Sequence, residues 1–201
     1  MKLTAKIRRI DYGDLVEMAL PMIRELFKTE NEAIRLTIDT IPSLPPELIR
    51  SLLEAVPEER RNEIVAAYAA QYSREILVLL NKISDQQQLG LCLTEVSLDR
   101  QLQLCATVGR IDYLRLVNKF LDQIKQKLLA LGGPVMLMGP VIRGASAETV
   151  CSLMDRFLGG SKDRFLASMV NQNAQQIIRL IEEEAAKEGV RLELEYIYLE
   201  A

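Results

Sequence analysis

Residues 89–113 read LGLCLTEVSLDRQLQLCATVGRIDY, two runs of alternating apolar and polar residues about Asp99-Arg100. Their closing tetrad, Arg110-Ile111-Asp112-Tyr113, copies Arg9-Ile10-Asp11-Tyr12 near the start of the chain. Slid against itself by 101 positions, the sequence stays in register to its end without a gap. Leu3 falls on Leu104, Leu15-Val16 on Leu116-Val117, Ser51-Leu52 on Ser152-Leu153, and Leu98 on Leu199. About 22 of roughly 100 pairs are identical, where a Leu-rich composition alone would give roughly eight. Apolar positions also keep their phase, and phase decides which face of an element is buried.

The expectation is an α+β, helix-rich single domain of two tandem pseudo-repeats, 1–100 and 101–201. Each runs strand, helix, short strand or extended segment, helix, long helix, strand, and the two share one sheet with helices packed on it. Residues 2–10 alternate as a strand with one wet face. Asp11 stands at an N-cap, with Asp14 three residues on, and the helix that follows should kink at Pro21. In residues 33–41 the alternation, and in residues 134–142 the bracketing glycines and prolines, favour a strand or extended segment. Pro45-Pro46-Glu47 opens a helix, and a long helix follows from residue 57 to about 84. Residues 89–98 and 101–108 read as a hairpin with a tight turn at Asp99-Arg100. In the second copy, helices are expected over 112–131, 147–158 and 162–187, then a strand over 190–199. With no linker at Asp99-Arg100, the simplest assembly is a fused pseudo-dimer about an internal two-fold axis.

Composition narrows the function. Apolar residues make up 49% of the chain and charged residues 26%, as in a soluble globular protein. Residues 1–100 carry 13 basic and 16 acidic side chains, residues 101–201 carry 12 and 12, so neither half offers a phosphate-tracking surface. Without Trp and with few aromatics, base stacking is disfavoured, and no nucleic-acid partner is expected. The three cysteines, Cys92, Cys105 and Cys151, read as reduced buried thiols. The longest apolar run, 134–142, is too short to span a bilayer, so the expected setting is cytoplasmic with no membrane partner. There is no His, which removes the commonest general base and metal ligand. Neither a cofactor nor a metal site is indicated.

The repeated Arg-Ile-Asp-Tyr tetrad sits twice at a strand-to-helix junction. Its structural reading gives Asp the cap, Ile the core, and Arg a carboxylate partner. Its functional reading makes Arg9, Asp11, Tyr12, Arg110, Asp112 and Tyr113 a pair of ligand sites, with the arginines clamping a carboxylate or phosphate. Eight of the ten glycines lie in the second half, and Gly132, Gly133, Met136, Met138, Arg143 and Gly144 mark a connection, a ligand loop, or a Met-rich partner surface. Gln71 with Gln172, and Ser51 with Ser152, are expected to meet across the two-fold as hydrogen-bonded pairs. The leading functional expectation is a non-catalytic interaction or assembly protein, with a protein partner or a homodimer. A small-molecule-binding or sensing domain, with its site between the repeats, comes second. A His-independent enzyme comes third.

Overall fold

The alternating runs fold as four antiparallel strands in one sheet of order β2-β3-β1-β4: β1 Lys2–Ile10, β2 Leu91–Leu98, β3 Gln103–Ile111 and β4 Leu192–Glu200. The computed structural model describes residues 1–11, 13, 14, 16, 20, 21 and 45–201. The helices are α1 Pro46–Ala55, α2 Glu58–Gln71, α3 Ser73–Gln86, α4 Tyr113–Lys119, α5 Leu121–Ala130, α6 Pro134–Leu137, α7 Gly139–Gly144, α8 Ala147–Leu158, α9 Lys162–Gln172 and α10 Ala174–Lys187. The chain is α+β and helix-rich. Among the described residues no helix is long and apolar enough to cross a membrane.

Alternation fixes which face of the sheet is covered. Leu3, Ala5, Leu93, Ala106, Val108, Ile197 and Leu199 are buried in the main core beside Leu116, Ile124, Leu128, Met154 and Leu166 from the helices. Their neighbours Lys2, Thr107, Tyr196 and Tyr198 are exposed, so the opposite face is wet. The central pair β1–β3 runs from Lys2 opposite Thr107 to Lys6 opposite Gln103, centred on Thr4 opposite Cys105. Both outer pairings carry irregularities. In β2–β3 they fall between Cys92 and Leu93 and between Leu93 and Glu95. In β1–β4 they fall between Lys6 and Ile7 and between Ile7 and Arg9.

Helix side chains close part of each sheet edge. On β2, Asn81 donates to the Leu93 carbonyl (3.0 Å) and accepts from its N–H (2.8 Å). Ser84, the one buried polar residue among those described, does the same for Leu91 at 2.7 and 3.1 Å. On β4, Glu182 accepts from Leu194 N–H (2.7 Å), and Asn171 bonds both the N–H and the carbonyl of Leu199. Backbone groups that would invite another strand are thereby occupied.

Several expectations are corrected. The hairpin turn is four residues, Asp99 to Leu102, because Asp99 Oδ1 accepts from the N–H groups of Gln101 and Gln103 and organises a wider loop. Leu102 takes a left-handed conformation (φ 59°) that its burial beside Ile7, Ile10 and Val65 holds in place. Residues 134–142 are two short helices rather than extended chain. Gly132 and Gly133, both at positive φ, stop the preceding helix, and Pro134 and Pro140 begin the next two. Residues 33–41 lie outside the described residues, as does the chain directly after Pro21. Each long helix is broken, at Tyr72, Phe120 and Asn173, with ψ of 26°, 26° and 14°. Asn173 does this chemically, since its Nδ2 donates to the Met169 carbonyl (2.8 Å) and competes with the helix ladder. Ser51 and Ser152 do not meet; each donates to the carbonyl four residues back, Glu47 and Glu148. Gln71 and Gln172 are exposed at helix ends rather than paired.

Asn171→Ala would strip the N–H and carbonyl of Leu199, which is 1% exposed, of their partner. The expected cost is about 1–3 kcal/mol in urea unfolding, and Asn81→Ala should behave alike at Leu93. A change within about 0.5 kcal/mol would mean that these contacts do not secure the edges.

Candidate functional site

The two Arg-Ile-Asp-Tyr junctions end antiparallel neighbouring strands, so they stand at opposite ends of the sheet. They are therefore two separate places. In both, the Asp backbone is anchored to the segment that enters an edge strand: Asp11 N–H donates to Arg191 C=O (2.8 Å), and Asp112 N–H to Gly90 C=O (2.7 Å). Both aspartates also turn the chain. Asp11 Oδ1 accepts from Gly13 N–H (2.9 Å), and Asp112 Oδ1 caps α4 through Arg115 N–H (3.1 Å).

At the first junction the arginine that grips the acids comes from elsewhere. Arg191 binds Asp14 through Nε and Nη2, both at 2.9 Å, and reaches Asp11 Oδ2 at 3.1 Å. The Arg191 hydrogen bonds hold the Asp14 carboxyl below its usual value, so this support is lost as pH falls into the acid range. Tyr12 lies outside the described residues. Arg9 and Asp11 line a polar cavity of about 300 Å³ together with Arg8, Arg50, Glu54, Glu58 and Arg61. Arg8 and Arg9 are consecutive yet both exposed, because the irregularity of β1 at this point breaks the strict alternation of faces. Gly13 admits the Arg50 guanidinium, which lies where a Cβ at position 13 would have to be.

The second junction is filled instead. Tyr113 Oη donates to Asp163 (2.7 Å), Lys162 Nζ lies 3.8 Å from the centre of the Tyr113 ring, and the same ammonium pairs with Asp155 at 2.5 Å. Asp163 accepting this bond, then burial, pushes the phenol up to about 12. Arg115 pairs with Asp85 at 2.6 Å. Arg110 is exposed, opposite Cys92 on the edge strand. Among the described tetrad residues, Arg9 and Asp11 line the polar cavity together.

The glycine-rich segment folds onto the core. Val135, Gly139 and Ile142 are buried, and Met138 packs partly buried against them. Arg143 and Gly144 are exposed at the end of α7, where Lys125 donates to the Arg143 carbonyl (3.1 Å). Gly133 is exposed and Gly132 half-buried in the turn after α5; position 136 belongs to α6. Facing outward are Leu131, Leu137 and Val141, exposed by 52%, 88% and 53%. Met138 is thus half-buried, and the exposed apolar side chains of this stretch are its leucines and Val141.

A second cavity, about 190 Å³ and almost wholly apolar, lies over the sheet between α2 and α3 on one side and α10 on the other. Ile7, Val65 and Leu79 from the first half and Ile181, Val190 and Leu194 from the second line it. Among the described residues no three His, Cys, Asp or Glu side chains gather as metal ligands.

The sequence reading missed Arg8, Arg50 and Arg61 as members of the polar cavity. The signal was present at the 101-residue offset, where Arg8 stands against Gly109, Gly13 against Leu114 and Arg50 against Cys151.

Absorbance titration should resolve one tyrosine ionising near pH 12, and Asp163→Asn should bring it down towards the ordinary range near 10. Because its folded value is raised, Tyr113 stabilises the fold fully below about pH 10, and that contribution fades as pH climbs from there to about 12. Tyrosines that all ionise together, with no late component, would contradict the Tyr113–Asp163 bond.

No protein-family model matches the chain, and no curated protein or solved structure matches it significantly.

Proposed function

We propose that the chain is a non-catalytic assembly protein of the cytoplasm, a fused pseudo-dimer that associates with a second copy of itself through the ridge at Leu131, Leu137 and Val141. The observation that carries this is their exposure: three large apolar side chains within eleven residues, one of them 88% exposed. Scattered apolar residues on a surface need no explanation, but a local group does. An apolar ridge is its own complement, so an isologous dimer needs no second surface.

The fused pseudo-dimer reading, with halves 1–100 and 101–201 in one domain, is supported by coincidences at the 101-residue offset. β1 and β3 begin at Lys2 and Gln103, and β2 and β4 at Leu91 and Leu192. The edge contacts Asn81 to Leu93 and Glu182 to Leu194 stand at equivalent positions, as do the helix breaks at Tyr72 and Asn173. The centre of the sheet pairs Thr4 with Cys105, its own equivalent, as a two-fold axis requires. A chain with no His, balanced charge and no run of basic residues also fits a partner that is protein rather than nucleic acid.

A second reading, a small-molecule-binding domain with its site between the halves, draws on the apolar cavity lined from both. Its size favours a compact apolar ligand.

Sedimentation velocity across a range of concentrations should show a concentration-dependent dimer. Leu137→Glu with Val141→Asp should return it to monomer, with a melting temperature within about 2 °C of the parent because both sites are exposed. A parent protein that stays monomeric throughout would contradict the proposal.

A further inference from the structure

We infer that the polar cavity at the end of β1 is a binding site for a small oxyanion, a phosphate or carboxylate group, held by Arg8, Arg9 and Arg50. It is a property of the first half alone and is independent of the assembly reading. Three observations on different elements converge. None of these three arginines makes an ion pair with a carboxylate within 4 Å among the described residues, although Asp11, Glu54 and Glu58 line the same cavity. Asp11 is drawn off by Arg191, which holds it at 3.1 Å. Arg8, Arg9 and Arg50 are therefore not locked into ion pairs among the described residues, although Asp14 feels the charge of Arg50, and such forked donors match oxyanions in geometry and charge.

The second observation is how the backbone delivers them. The irregularity of β1 between Ile7 and Arg9 turns two consecutive arginines outward while Ile7 and Ile10 remain in the core. Bulges of this kind re-aim side chains beside functional sites. The third is Gly13, which alone leaves room for the Arg50 guanidinium. At the corresponding places the second half has Gly109, Leu114 and Cys151. There Lys162 is consumed by Asp155 and the Tyr113 ring. Of the positions that open and charge the cavity, 8, 13 and 50 differ between the halves, whereas Arg9 keeps its counterpart in Arg110.

The test uses the full chain at low ionic strength, titrated separately with inorganic phosphate and with succinate, and read by calorimetry. Sodium chloride at matched ionic strength is the control. We expect saturable binding of at least one of the two anions and none with chloride. Binding of phosphate alone assigns a phosphoryl ligand, and binding of succinate alone a carboxylate. Arg50→Gln and Arg9→Gln should each weaken the affinity about tenfold. Gly13→Ala, which displaces the Arg50 side chain without removing a charge, should weaken it too while leaving the melting temperature in chloride unchanged. Arg110→Gln, at the equivalent place of the second half, should have no effect. Saturable binding of neither anion would overturn the inference, as would equal binding by the parent, Arg50→Gln and Arg9→Gln.

Discussion

The antiparallel pairing of β1 with β3, centred on Thr4 and Cys105, is the contact on which the remainder of the structure depends. Without it the sheet would separate into two ribbons, β2–β3 and β1–β4, and a two-stranded ribbon is not independently stable in water. The pairing also commits the chain termini. The first strand lies between β3 and the last strand, so residues at both ends of the chain join one sheet. Arg191 reinforces this from the side, tying the turn before β4 to Asp11 and Asp14 at the start of the chain.

Like frames then carry unlike chemistry. Both strand-to-helix junctions use an aspartate to turn the chain and the same backbone bond to a segment entering an edge strand. At one, a Tyr113–Asp163 bond and a Lys162–Asp155 pair fill the space. At the other, Gly13 and Arg50 leave it open and positively lined. Packing constrains the frame, while the polar side chains outside the core are free to differ. The same division holds in the glycine-rich segment. Ile142 and Val135 secure it to the core, and Leu137 and Val141 are left on the surface.

Much of the fold was legible because it rests on periodicity. Alternation in 2–10, 89–98, 101–108 and 190–199 placed the described strands near their observed bounds, and Asp112 read correctly as a cap. What failed depended on contacts that sequence spacing does not encode. Asn173 breaks a helix by bonding the Met169 carbonyl, although as one polar residue in a helical stretch it carries no such signal. Residues 134–142 read as too short and broken for a helix, yet Gly132, Gly133, Pro134 and Pro140 acted as helix stop and start signals. The polar cavity gathers Arg8 and Arg9 from a strand with Arg50 and Arg61 from two helices, a juxtaposition only the fold creates. The tetrad drew attention to Arg9, but its repetition reported a shared way of turning the chain.

The central claim, that both halves stand or fall with one sheet, is tested most directly by native-state hydrogen exchange resolved by residue. Amides of β1 and β3 across the pairing from Leu3–Ala106 to Ala5–Leu104, with those of α9 and α3, should exchange only through global unfolding and share one opening free energy. If β1 with α2 and α3 opens at a distinctly lower free energy, while β3 with α9 and α10 remains protected, the halves are separable and the account is wrong.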